Sequence, residues 1–258
     1  MIHRSLPLPF TGFALALILA GAASARADAV GDDADRFIAK TIEFESKLAS
    51  NPDSYDDNLG AASNLNRAMA IRTNANLTLF DGLQDSDENR AVWSEYGERA
   101  LTHARAALRL RPDSVEAAAT VATSYMFWSS SLGILRAFLK GAGGDFRENA
   151  RRVVELDPSY DHGFGNYMLA SFYLVAPWPV GDMDDSLGHY EKAAELGPTS
   201  LRNRYGLGVY WAREGDTERA RRNFERTLGM PCNSDFDRLF CDFMKSESRR
   251  ALAALEGS

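Results

Sequence analysis

Four times the chain brings an apolar-periodic stretch to an end in the same way, and this recurrence limits the folds open to it more than any other feature. The segments Ala106-Ala107-Leu108-Arg109-Leu110-Arg111-Pro112, Val153-Val154-Glu155-Leu156-Asp157-Pro158 and Ala193-Ala194-Glu195-Leu196-Gly197-Pro198 share it, and Arg226-Thr227-Leu228-Gly229-Met230-Pro231 closes the series. Proline does not continue a helix, and the Asp, Ser or Thr that follows several of these prolines caps the next one. Further breaks fall at Asn51-Pro52-Asp53-Ser54 and Gln84-Asp85-Ser86-Asp87. Between the breaks, apolar residues recur at three and four residue spacing from Ala34 onward, with almost no alternation that reads as strand. A recurrence every few tens of residues, one helix pair per period, predicts an all-α solenoid, because each pair leaves an apolar face that only its neighbour can bury.

The unit from Leu201 to Cys232 is the most regular. Gly208 and Ala220 let two antiparallel helices approach, Gly215 supplies the turn, and Trp211 and Phe224 are expected to fill the seam. With Leu207 and Leu228, this pattern resembles the tetratricopeptide repeat (TPR) and implies a TPR-like helical-hairpin array. The unit from Gly163 to Pro198 matches through Leu169-Ala170, Tyr173, Tyr190 and Ala193, but Ala176-Pro177-Trp178-Pro179-Val180-Gly181-Asp182 interrupts its turn. The unit from Val115 to Pro158 carries a longer interruption around Lys140-Gly141-Ala142-Gly143-Gly144-Asp145. The expected organisation is an atypical N-terminal helical region over 28–112, three TPR-like pairs over 113–234, the first two with insertions, and a C-terminal capping helix over 235–258.

Residues 1–27 hold Arg4, an apolar run from Phe10 to Ala23 and Ala25-Arg26-Ala27 before the first acid, Asp28. That is the order of a secretory signal peptide, with cleavage expected near Ala27 and an uncleaved anchor as the alternative. The run is short for a membrane span, so no stable span is expected after cleavage, and no cysteine follows it to carry a lipid. Removing these residues takes away two arginines and no acid, so 29 basic against 36 acidic residues becomes 27 against 36, a formal charge of −9. An acidic chain without clustered Lys and Arg argues against nucleic acid as a partner. Cys232 and Cys241 stand close together, and an oxidising compartment favours a disulfide between them over two free thiols.

An array of this kind with Pro177-Trp178-Pro179-x-Gly181-Asp182 between its helices, preceded by Glu155-Leu156-Asp157-Pro158 and an N-terminal helical region, resembles the T component of tripartite ATP-independent periplasmic (TRAP) transporters. The likeness covers Asn58 to Pro231 and is most specific from Asp157 to Pro198. It implies a periplasmic protein that associates with the solute-binding P component, forms homo-oligomers and holds a small hydrophobic ligand in an internal channel. Many sequences of that family are lipoproteins, and the missing anchoring cysteine departs from them. A generic exported scaffold that docks proteins or peptides on its concave face is the alternative. An unrecognised hydrolase, with residues that meet only in three dimensions, comes third.

Helical spacing assigns Met126 and Phe127, then Phe164 and Tyr167, then Arg202, Tyr205 and Arg213 to the concave side of successive units. Met126, Phe127, Phe164 and Tyr167 are expected to line a hydrophobic groove or channel, and Tyr205 beside Arg202 and Arg213 suits an amphipathic ligand or a peptide carboxylate. A closed, packed seam is the competing reading. Trp178 is expected either to contact a partner from its loop or to pack into a neighbouring groove and staple the loop down. Asp182-Met183-Asp184-Asp185 lacks the glycine and distal glutamate of a calcium loop and reads as acidic capping. Lys140-Gly141-Ala142-Gly143-Gly144 lacks the residues of a phosphate loop and reads as an interhelical loop. Asn76-Leu77-Thr78 meets the glycosylation pattern inside an expected helix. His3, His103, His162 and His189 have no metal spacing, and Ser129-Ser130-Ser131 has no nucleophile elbow. No catalytic residue, metal site or cofactor is expected.

Overall fold

A computed structural model describes residues 33–74, 78–83, 86–133, 136–137, 142–232 and 235–257. The expected signal segment, Lys140 and Gly141 lie outside these residues. The chain turns back on itself at the breaks the sequence marks. Helix α1 runs over 33–48, followed by α2 (Tyr55–Thr73) and α3 (Asp87–Leu110). Three helix pairs follow: α4 (Val115–Ser131) with α5 (Ala142–Leu156), α6 (Tyr160–Val175) with α7 (Met183–Leu196), and α8 (Leu201–Glu214) with α9 (Thr217–Gly229). Helix α10 (Asp235–Glu256) packs on α8 and α9 and ends the array. Each helix from α2 onward touches the next, and α2 meets α4 as α6 meets α8, which is the nearest-neighbour packing of an α-solenoid.

Side-chain caps fix where these helices begin. Ser54, Ser86, Ser114, Asp182 and Asp216 each accept a hydrogen bond from the backbone N–H three residues on. The regular unit uses its small residues as expected: a Cβ at Gly208 would lie 2.6 Å from the Phe224 ring, and Gly215 takes φ 78° at the end of α8. Phe224 fills the seam between α8 and α9, whereas Trp211 is left at its rim, half-buried, with the Arg219 guanidinium 4.3 Å from its ring centre. The Cys232–Cys241 disulfide ties the end of this unit to α10.

Two local expectations fail. The N-terminal region is not helical throughout: α2 stops at Asn74, whose left-handed φ of 51° caps it, and Thr78–Leu79 (β1) pairs antiparallel with Gly82–Leu83 (β2). Thr78 of the glycosylation pattern is therefore the first hairpin residue and not part of a helix. Ala142 to Gly144 opens α5 instead of forming a loop. Within the N-terminal region, α2 and α3 pack as a helical hairpin without the motif. Gly97 lets α4 approach α3, since a Cβ there would meet Trp128 Cα at 3.0 Å.

The start of α6 departs from helical geometry. Asp161, His162 and Gly163 take φ values of 41°, 60° and 78° in succession, a left-handed conformation costing roughly 1–2 kcal/mol for each non-glycine residue. The next unit clamps this turn. Arg202 donates to the Asp161 carboxylate at 3.0 Å and to its carbonyl at 2.6 Å, and Asn203 Nδ2 donates to the His162 carbonyl at 2.8 Å.

Candidate functional site

The face of α8 that helical spacing assigns to the inside of the array is covered by the β1–β2 hairpin. The Tyr205 hydroxyl donates to the Thr78 carbonyl at 3.1 Å, and Arg213 donates to the Gly82 carbonyl at 2.9 Å. Arg213 also reaches the Leu174 carbonyl at 3.4 Å, so one side chain joins the hairpin to the end of α6. From α10, Arg250 grips the Asp81 carboxylate with two bonds of 2.8 and 3.0 Å and lies 4.6 Å from the Phe80 ring centre. Hydrogen bonding to Arg250 holds the Asp81 carboxyl below the usual carboxylate range. Burial raises the Tyr205 phenol, which keeps it a proton donor to the hairpin backbone.

This arrangement corrects the expected hydrophobic channel. Phe127 is 1% exposed and packs with Trp93, Leu65 and Met69, while Met126 is half-buried against that cluster. Tyr167 is buried edge-on to Tyr190, with ring centres 5.9 Å apart. Arg202 is also 1% exposed and sits 5.1 and 5.2 Å from the Phe164 and Tyr167 ring centres. Tyr205 and Arg213 face the hairpin. The seam is filled because a charged clamp from the following unit and a hairpin from the N-terminal region both close onto it. Phe127, Tyr167, Arg202 and Tyr205 are buried in the seam, whereas Met126 and Phe164 stay half-buried at its edge.

Trp178 is presented differently. It is 90% exposed, on the loop between α6 and α7. Both loop ends are held: the Val180 and Gly181 amides donate to the Pro177 carbonyl at 3.0 and 3.1 Å, and the Asp182 amide donates to the Tyr173 carbonyl at 3.2 Å. A Cβ at Gly181 would collide with the Ala176 carbonyl, so glycine is required for this close approach. Asp182 caps α7 through the Asp185 amide at 2.9 Å. The indole is therefore held out from an anchored loop, and it does not pack into a neighbouring groove.

The histidines serve the frame. His103 lies between Asn58 and Glu45, each at 3.2 Å, and His189 stacks on Tyr173 while bonding Asn166 at 3.0 Å. Among the described residues, no helix is long and apolar enough to cross a membrane. The hairpin has one signal in the sequence, the turn-forming Asp81-Gly82 between Leu79 and Leu83.

Among solved structures, the chain is similar to TTC0263, a thermophilic TPR protein in Thermus thermophilus. The TM-score is 0.59 at 14% identity, over 85% of this chain and 92% of that one. The fold is a TPR-type α-solenoid. Weaker likenesses are to MamA, with TM-score 0.39 at 16% identity over 66% and 91% of the two chains, and to yeast Tom70, with 0.35 at 14% over 84% and 59%. No family model and no curated protein matches the chain.

Proposed function

We propose that this TPR-type solenoid is an exported, non-catalytic scaffold that docks a protein partner, with Trp178 as the anchor. The observation that carries this reading is the 90% exposure of an indole on a loop fixed at both ends. Tryptophan is strongly enriched among the few residues that dominate interface energetics, and a rigid presentation lowers the entropy lost on docking. Among the described large apolar residues, Trp178 is far more exposed than Ile42 or Leu110.

Within this reading the partner is the solute-binding component of a TRAP-type uptake system in the periplasm. The Pro177-Trp178-Pro179-x-Gly181-Asp182 motif after Glu155-Leu156-Asp157-Pro158 supports the partner, and the signal-like order of residues 1–27 with the cysteine pair supports the compartment. The native full chain should co-purify with a periplasmic solute-binding protein, and Trp178→Ala should reduce that recovery at least tenfold, the loss of about 1.4 kcal/mol or more. Undiminished recovery with Trp178→Ala would refute the anchor. Failure to recover any solute-binding protein from a native pull-down would end the TRAP assignment.

A further inference from the structure

The hairpin that covers the inner face of α8 is held as a bound segment would be. Tyr205 and Arg213 read only its backbone: the phenol donates to the Thr78 carbonyl at 3.1 Å, and the guanidinium to the carbonyls of Gly82 at 2.9 Å and Leu79 at 3.5 Å. Arg250, on α10, reads its side chains. It makes two bonds to the Asp81 carboxylate and lies 4.6 Å from the Phe80 ring centre. Phe80 itself is half-buried against the apolar cluster that includes Tyr205 and Met244. Donors that bond carbonyls accept many extended segments, so the selectivity of this face lies with Arg250, which matches an aromatic residue followed by an acid.

All three holders are fixed independently of the hairpin. Glu247, one turn earlier on α10, bonds Arg250 at 2.7 and 3.0 Å, and the Leu174 carbonyl accepts from Arg213 at 3.4 Å. Tyr205 is 1% exposed, its ring centre 6.1 Å from that of Phe224. The face is therefore built to persist when the hairpin leaves. The hairpin lacks such support of its own: its strands are two residues long, and an isolated two-stranded hairpin is marginal in water. The side chains of Arg250 and Asp81 are 45% and 49% exposed, a setting in which an ion pair contributes little. The inner surface it covers is the one a solenoid offers to partners. We propose that the β1–β2 hairpin is an internal ligand, which closes the inner face of α8 until a turn of a protein partner, with an aromatic residue followed by Asp or Glu, takes its place. This rests on the reading of the chain as a protein-docking scaffold and adds a second surface, apart from Trp178, that the chain itself regulates.

The probe is the cyclised hairpin peptide Thr-Leu-Phe-Asp-Gly-Leu, labelled with a fluorophore and compared with its Asn-for-Asp version. Binding to the full chain is followed by fluorescence anisotropy. Asp81→Asn loosens the internal hairpin and leaves the holders in place, so this variant should bind the Asp peptide about tenfold more tightly than the unaltered chain does. The same variant should bind the Asn peptide about tenfold more weakly than the Asp peptide, and Arg250→Met added to it should erase that difference. Equal binding by the two chains, no binding to Asp81→Asn up to about 1 mM, or a peptide difference that survives Arg250→Met overturns the proposal. If Asp81→Asn does not fold, hydrogen exchange of the unaltered chain decides. The amides of 78–83 should exchange about tenfold or more faster than those of α8, and equal protection would make the hairpin a fixed part of the frame. Since Trp178-dependent recovery of a partner is read separately, failure here leaves the anchor reading standing.

Discussion

The two sides of α8 carry arginines two residues apart with opposite fates. Arg202 is enclosed, bonded to Asp161 and set over Phe164 and Tyr167. Arg204, on the other side, is half-buried in a groove with Glu191, Glu195, Leu187 and Trp211, and its Nε has no hydrogen-bond partner. Both are cations on one helix, and only their surroundings separate a fully enclosed clamp from a half-buried side chain at the edge of a groove.

The sharpest way to break this contrast is Arg202→Met. It removes a clamp that holds a left-handed turn, and it should cost about 2–4 kcal/mol in urea unfolding. A loss under about 1 kcal/mol would show that packing, not the guanidinium, holds the turn. Arg204→Met should act in the opposite direction, raising stability by about 1 kcal/mol because an unpaired charge gives way to an apolar side chain. A destabilising result would place a hidden structural partner on that side. The smallest effect concerns His189, whose pKa is lowered by burial, with Arg151 assisting and Asp185 opposing. Its unfolded state takes up a proton more readily, so stability is full above the unfolded pKa of about 6.5 and declines as pH falls toward the folded value. Denaturant midpoints between about pH 8 and 5 should show this decline, and His189→Gln should flatten it.

The helices themselves were legible because Pro-Asp-Ser and related breaks stop one helix and cap the next. The last unit was legible in detail because Gly208, Gly215, Ala220 and Phe224 act on one another within a short span. The α2–α3 pair escaped the motif because its close approach depends on Gly97 meeting the backbone of another helix at Trp128. The hairpin escaped because strands of two residues carry no periodicity and are held from α8, with Tyr205 standing 127 residues beyond Thr78. For the candidate residues on helices, spacing gives the face but not the neighbours. Spacing selected Arg202 for a ligand, and only the left-handed turn at 161–163, which no pattern announced, brings Asp161 to it. Arg204, two positions away, had no signal of its own.

The bond between Asp81 and Arg250 joins residues 169 apart in sequence. In an open solenoid the terminal repeats can fray while the middle stays folded, since each unit leans only on its neighbours. Here the hairpin fastens the first third of the string to its last helix, like a clasp. Melting at either end then disturbs both, and the chain gains a reason to unfold as a single cooperative unit.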